Sequence, residues 1–243
     1  MDNLIREMEL SVEELGTRSW KIYSSNLKII LLIVVTVFLP INALIEVINN
    51  MLTTQTYSEF VAKNTANLLS LIQNLLSVLA TLALAYLTEQ QILDKETDYA
   101  EVFSKALGRW LSGIGTFLLS GIIVLLMALL LIIPGIIWGV YYAFALFAVI
   151  LRKEGGMDAL GYSKSLVKNR WWKVFGILLL SSVVQIVLGA SIGFITNFLP
   201  VSFVLNIIIN TTLDFLGAFF TIFAVVFFLN LDYLTNSSDW IKE

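Results

Sequence analysis

Residues 114–151 read IGTFLLSGIIVLLMALLLIIPGIIWGVYYAFALFAVIL, without a single charged side chain. One straight helix over this block would be about 57 Å long at about 1.5 Å per residue, while the hydrocarbon core of a bilayer is about 30 Å thick. Pro134-Gly135 lies inside the block. Proline lacks a backbone donor and glycine accepts turns, so the pair favours a break. The block therefore reads as two crossings, span 3 over 114–133 and span 4 over 136–151. The second is short and should stand nearly upright.

The same reasoning extends outward. Apolar runs at 27–48 and 66–87 give spans 1 and 2. The run 174–231 is again too long for one crossing, and Leu199-Pro200 divides it into spans 5 and 6. Composition agrees: 58% of the residues are hydrophobic and 14% charged, against about 25% charged in an ordinary soluble domain. The expected fold is an all-α, polytopic membrane protein with six transmembrane helices.

Charge tests the division. With the N-terminus in the cytoplasm, all 15 Lys and Arg except Lys63 fall on the cytoplasmic side, as the positive-inside rule requires. Merging spans 3 and 4 would put Arg152 and Lys153 on the wrong side. The expected location is the cell membrane, multi-pass, with both termini cytoplasmic. Residues 1–26 hold no apolar core of the secretory kind, so span 1 is expected to be a retained anchor.

The basic segments carry helical patterns of their own. Leu4, Met8, Val12, Leu15, Ser19 and Ile22 share one face; Tyr99, Val102, Phe103, Ala106 and Trp110 repeat the pattern, and Met157, Leu160, Val167 and Trp171 do so more loosely. Each reads as an amphipathic helix at the cytoplasmic interface. Two accounts stand: a threefold helix-plus-hairpin repeat with Ser19, Ser104 and Ser165 equivalent and Arg109-Trp110 aligned on Arg170-Trp171, or plain alternation of basic segments with spans. The layout is one integral membrane domain over 1–243. It has an amphipathic segment at 1–26, spans 1 and 2 in 27–94, an interfacial helix with spans 3 and 4 in 95–151, an interfacial helix with spans 5 and 6 in 152–231, and a cytoplasmic tail at 232–243.

There are no Cys and no His, which excludes disulfides, thiolate nucleophiles, His-ligated metals and His general bases. No phosphate-binding glycine loop or activated nucleophile is present. The expectation is a non-enzymatic protein with no cofactor and no metal. The net charge of -3 does not suggest nucleic-acid binding.

Residues 132–180 carry a recognisable pattern: Pro134-Gly135, an aromatic-rich span, Glu154-Gly155-Gly156, Ala159-Leu160, Ser163 or Ser165, and Arg170-Trp171-Trp172-Lys173. This pattern resembles the membrane domain of glycerophosphodiester phosphodiesterases and related multi-span bacterial membrane proteins. The resemblance implies a membrane location and a lipid or envelope context. In the phosphodiesterases a soluble catalytic barrel with paired His follows this domain, and with no His here that activity is not carried over. On the residues themselves, Trp171 and Trp172 suit the headgroup level, with Arg170 and Lys173 reaching anionic phosphates. They serve either as lipid-headgroup contacts or as plain membrane anchors.

Polar residues inside the spans form stripes. Asn206, Asn210 and Asp214 lie four apart on span 6, flanked by Thr211 and Gly217. Asn67, Ser70, Asn74, Ser77 and Thr81 line span 2, and Gln185, Gly189, Gly193 and Asn197 line span 5. An ionised Asp at midplane costs at least about 2.5–3.5 kcal/mol, so Asp214 should face an interior shared with the other stripes. Two uses of that interior compete: interhelical bonding that fixes the bundle, and a polar cavity for an ion, a proton or a headgroup. Glu46, late in span 1, reads as a solvated helix end rather than a buried partner for Asp214, and Pro40 should kink span 1 or free a carbonyl. Membrane lipids are the expected partners, and a protein partner or homo-oligomer stays open. The functional expectation is a lipid-bilayer or envelope role, binding lipid or assisting a partner; the alternative is a small permease or channel built on the Asp214 cavity.

Overall fold

The computed structural model describes residues 9–54, 57–196, 198 and 202–236. Among these, all regular structure is helical: α1 Val12–Ser25, α2 Leu27–Thr54, α3 Glu59–Ile92, α4 Tyr99–Leu130, α5 Ile132–Tyr141, α6 Ala145–Leu151, α7 Met157–Val167, α8 Trp171–Thr196 and α9 Phe203–Thr235. Six stretches are long and apolar enough to cross a membrane: Leu27–Leu52, Glu59–Ile92, Tyr99–Leu130, Ile132–Leu151, Trp171–Thr196 and Phe203–Thr235. They match the six expected crossings. Leu4, Met8, Asn197, Leu199 and Pro200 lie outside the described residues.

The turn between spans 3 and 4 falls at Leu131, an extended residue, and Pro134 sits in the first turn of α5. A proline there sacrifices no helical hydrogen bond. Gly135 makes the hairpin tight: a Cβ on it would lie 2.7 Å from Cβ and 2.9 Å from Cα of Ala128. Span 4 differs from the upright helix expected. It breaks between α5 and α6, and Ser163 of α7 stitches the break. The Ser163 hydroxyl donates to the Tyr141 carbonyl (2.7 Å) and accepts from the Phe144 N–H (3.1 Å). A break at membrane depth is tolerated where protein groups satisfy the freed backbone.

Two further expectations are corrected and one, at Pro40, is met. Residues 99–110 are no separate interfacial helix, since α4 runs unbroken from Tyr99 to Leu130. Its apolar face packs inward all the same, with Val102 and Ala106 fully buried. Pro40 lies inside the continuous helix α2; having no N–H, it leaves the Thr36 carbonyl without its helical donor, which is the freed carbonyl expected there. And α9 continues to Thr235, so Asp232 belongs to the helix and not to a tail.

The core sits at the end of the bundle that carries most basic residues. Ile30, Ile33 and Val34 of α2, Val78 to Leu87 of α3, Phe144 to Val149 around α6, and Ile222 to Leu231 of α9 meet there. Phe144 packs on Phe227 and Phe228 with centroids 5.6 and 5.9 Å apart. On α1, Leu15, Ser19 and Ile22 are buried while Val12 is exposed. This helix packs against α9, and the Tyr23 hydroxyl donates to the Phe215 carbonyl at 3.1 Å. Toward the other end the helices splay and their apolar side chains are exposed, as at Leu129, Leu130, Ile132 and Ile133. In a bilayer such exposure meets acyl chains and carries no hydrophobic penalty.

Candidate functional site

Asp214 lies about a third of the way along α9, which runs from Phe203 to Thr235. The neighbouring helix α2 presents Asn42, almost fully buried, whose Nδ2 donates to Asp214 Oδ2 (2.8 Å) and to Thr211 Oγ1 (3.2 Å). Gln73 of α3 donates in turn to Asn42 Oδ1 (3.4 Å). Three crossings thus meet in one amide–carboxylate network. Two helical turns before Asp214, Asn206 donates to Glu46 of α2 (2.9 Å). Glu46 is therefore the partner of Asn206, neither a solvated helix end nor a partner of Asp214.

Beside this network lies a cavity of about 390 Å³. Asp214, Gly217 and Thr221 of α9, Gln73, Asn74, Ser77 and Thr81 of α3, and Gln185 of α8 supply its polar and small lining; Val34 and Phe38 of α2 supply part of the apolar wall. The expectation that Asp214 shares an interior with the stripes of spans 2 and 5 thus holds for Asn74, Ser77, Thr81 and Gln185. It does not hold for Asn67 and Ser70 of α3 or for Asn210 of α9, which do not line the cavity, and Asn74 and Gln185 line it from its open side, being exposed themselves. The α8 wall is thin. Only Val174 and Ile177 of α8 are buried, and a Cβ on Gly189 or Gly193 would meet nothing within 4 Å. That small-residue face packs against no neighbouring helix here.

The cavity offers one carboxylate, several amides and hydroxyls, and no cation. Such a lining accepts hydrogen bonds or positive charge and supplies no nucleophile with a base. Among the described residues no three His, Cys, Asp or Glu side chains could hold a metal ion.

A second polar cluster escaped sequence reasoning. Arg152 follows α6, and its side chain is only 8% exposed. Its Nε donates to Asp232 Oδ2 (2.7 Å) and its Nη1 to Glu89 Oε1 (2.7 Å), while Nη2 also pairs with Asp232. Tyr162 of α7 donates to Asp232 Oδ1. Asn236 donates to the same oxygen (2.9 Å) and to the Tyr162 hydroxyl (2.9 Å). Burial pushes the Arg152 guanidinium down, but the Asp232 and Glu89 carboxylates outweigh it and hold it above its ordinary value. Burial and the bond to Asp232 raise the Tyr162 phenol. Four helices, α3, α6, α7 and α9, are tied together at this point.

The anticipated headgroup contacts do gather. Arg170, Trp171, Trp172 and Lys173 line a groove with Lys168, Asn169 and Glu9. Glu9 changes its character, because its carboxylate pairs with Arg170 and accepts from Lys173 Nζ at 2.9 Å. The Lys173 bond above all, with Arg170 beside it, holds Glu9 below the usual carboxylate range. Trp172 is 78% exposed, whereas Trp171 stacks on Phe175 and donates to the Ile137 carbonyl at 3.3 Å. Trp110 likewise donates to a carbonyl of another span, that of Leu75 (3.0 Å), whereas the preceding arginines differ: Arg109 donates to the Lys153 carbonyl and Arg170 pairs with Glu9. Ser19 is buried while Ser104 and Ser165 are exposed, so those three serines do not occupy equivalent places.

The chain belongs to the family defined by a domain of unknown function, DUF7847, whose model matches residues 100–236, more than half of the chain. The matched region takes in nearly all of α4 and everything onward to the end of α9. No curated protein and no solved structure matches the chain.

Proposed function

We propose that this protein is a non-enzymatic, multi-pass membrane protein that binds the polar head of an amphiphile within the bilayer, with Asp214 as the recognition group. The observation that carries this reading is the cavity shared by Asp214, Asn74, Ser77, Thr81 and Gln185. A lone carboxylate among neutral donors and acceptors suits a head bearing an ammonium or several hydroxyls. The apolar wall suits a chain, and the thin α8 side gives a route from the surrounding lipid. The lipid context is the one implied by the pattern of residues 132–180, which resembles the membrane domain of glycerophosphodiester phosphodiesterases; the family match itself is to the domain of unknown function alone. The charge asymmetry supports cytoplasmic termini in the cell membrane, with α1 and α7 at the inner face. The parallel Trp110 and Trp171 bonds to carbonyls of other spans favour kinship between the second and third helix-plus-hairpin units.

Native mass spectrometry of the gently extracted protein tests this reading. Wild type should retain amphiphile, and Asp214→Asn should lose most of it while staying folded. Equal retention by both would remove Asp214 from recognition. A second reading, a small permease or channel, draws on the acids Asp214 and Glu46 along the α2–α9 seam, the first bonded to Asn42 and the second to Asn206. Liposome flux of protons or small cations that vanishes in Asp214→Asn would favour it.

A further inference from the structure

A cleft of about 430 Å³ lies between α3, α4 and the loop after α6, lined by Tyr86, Ser104, Lys105, Gly108, Arg109, Ile150 and Lys153. Three of these side chains are cationic and none is acidic. Among the described residues Lys105, Arg109 and Lys153 form no ion pair. Glu101, one turn before Lys105, is occupied by the Tyr86 hydroxyl (2.7 Å) and the Thr97 hydroxyl (3.0 Å). The Arg170–Lys173 groove differs in this respect, since Glu9 already neutralises part of its charge.

The cleft is also built. Lys153 holds a left-handed backbone, φ 59°, a conformation that non-glycine residues seldom adopt. The loop is clamped on α4 at three points. Arg109 Nη1 donates to the Lys153 carbonyl (3.3 Å). The Gly156 N–H donates to Thr116 Oγ1 (2.9 Å). Gly155 approaches so closely that a Cβ would lie 2.8 Å from Ser112 Oγ. Gly108 is the opposite case: nothing stands within 4 Å of its missing Cβ. Packing does not require a glycine there, and its bare backbone leaves the cleft open.

We infer that this cleft binds a phosphate group through Lys105, Arg109 and Lys153. Three cations lining one cleft from a helix and a clamped loop suit an anion with several oxygens; the arginine fork takes two of them and the lysines act as point charges. The group belongs either to an anionic lipid head at the membrane surface or to a small soluble phosphate. The site is separate from the Asp214 cavity, so Asp214→Asn should leave it intact.

Isothermal titration of the full-length protein in neutral detergent tests the inference with three probes: dioctanoyl phosphatidic acid, dioctanoylglycerol and inorganic phosphate. Phosphatidic acid should bind at least about tenfold more tightly than dioctanoylglycerol. Lys105→Gln with Lys153→Gln should weaken it about thirtyfold. Gly108→Leu should block binding with every charge in place, and Arg170→Gln with Lys173→Gln should preserve it. Inorganic phosphate binding as tightly as phosphatidic acid identifies a soluble ligand; phosphatidic acid binding alone identifies a lipid head. Equal binding of phosphatidic acid and dioctanoylglycerol overturns the inference, as does binding unaffected by Gly108→Leu.

Discussion

At the scale of single residues, the most consequential side chains are buried polar ones. Arg152 holds two carboxylates, Glu89 and Asp232, in a nearly closed environment. Breaking a buried pair by removing one partner costs about 3–5 kcal/mol, because the charge left behind has no compensation. Arg152→Met should therefore destabilise the protein by that amount in bicelle unfolding titrations. Adding Glu89→Gln and Asp232→Asn should recover much of the loss; no recovery would mean that the arginine acts mainly by packing. Asn42 poses a milder case. Asn42→Leu removes a donor from Asp214, and a double-mutant cycle with Asp214→Leu should give a coupling of about 0.6–1.7 kcal/mol. A coupling near zero would show that lipid or water replaces the amide. Neither residue stood out in the sequence. Asn42 lies in an apolar run two residues after Pro40, and that isolated polarity was the one available signal. Arg152, Glu89 and Asp232 each sit at the end of a span, where charge is routine.

At the scale of elements, the spans differ in how they are held. The α4–α5 hairpin depends on the Gly135–Ala128 contact. Gly135→Val should cost about 1–3 kcal/mol by overpacking, read as a lower melting temperature with unchanged helical circular dichroism. An unchanged melting temperature would mean that the hairpin opens freely. The broken span 4 depends on Ser163, which serves two backbone groups at once. Ser163→Ala should cost about 1–3 kcal/mol through an unpaired buried amide, and Ser163→Thr should retain part of the bonding. Span existence was legible from apolar length, and the span 3–4 turn to within a few residues from Pro134-Gly135. The break at 142–144 was not, since no proline or glycine marks it and its cause is a serine on another helix. The fusion of residues 99–110 with span 3 was hidden for a related reason: an amphipathic stretch and an apolar stretch can share one continuous backbone helix.

At the scale of the whole molecule, packing is tight at the basic end and open at the other. This suits a protein whose outer surfaces are solvated by acyl chains. The absence of cysteine makes topology directly measurable. Single substitutions Ser11→Cys and Lys168→Cys should react with an impermeant maleimide from one side of the membrane, and Tyr57→Cys and Leu131→Cys from the other. Leu131→Cys labelling on the Ser11 side would reduce the crossings below six.

The sequence by itself determined the helical class of this protein and its six stretches long and apolar enough to cross a bilayer. Each follows from a local quantity: apolar length against bilayer thickness, and the side on which cations fall. It also identified Asp214 as a group that must avoid lipid, because its cost is set by its own span. Only the tertiary structure decided its company, joining Asp214 to Asn42, Gln73 and the α3 stripe while leaving Asn210 exposed. The same holds for Arg152 between Glu89 and Asp232. Helical periodicity fixes which residues share a face, but the azimuth of each helix against its neighbours depends on contacts made by residues far apart in the chain.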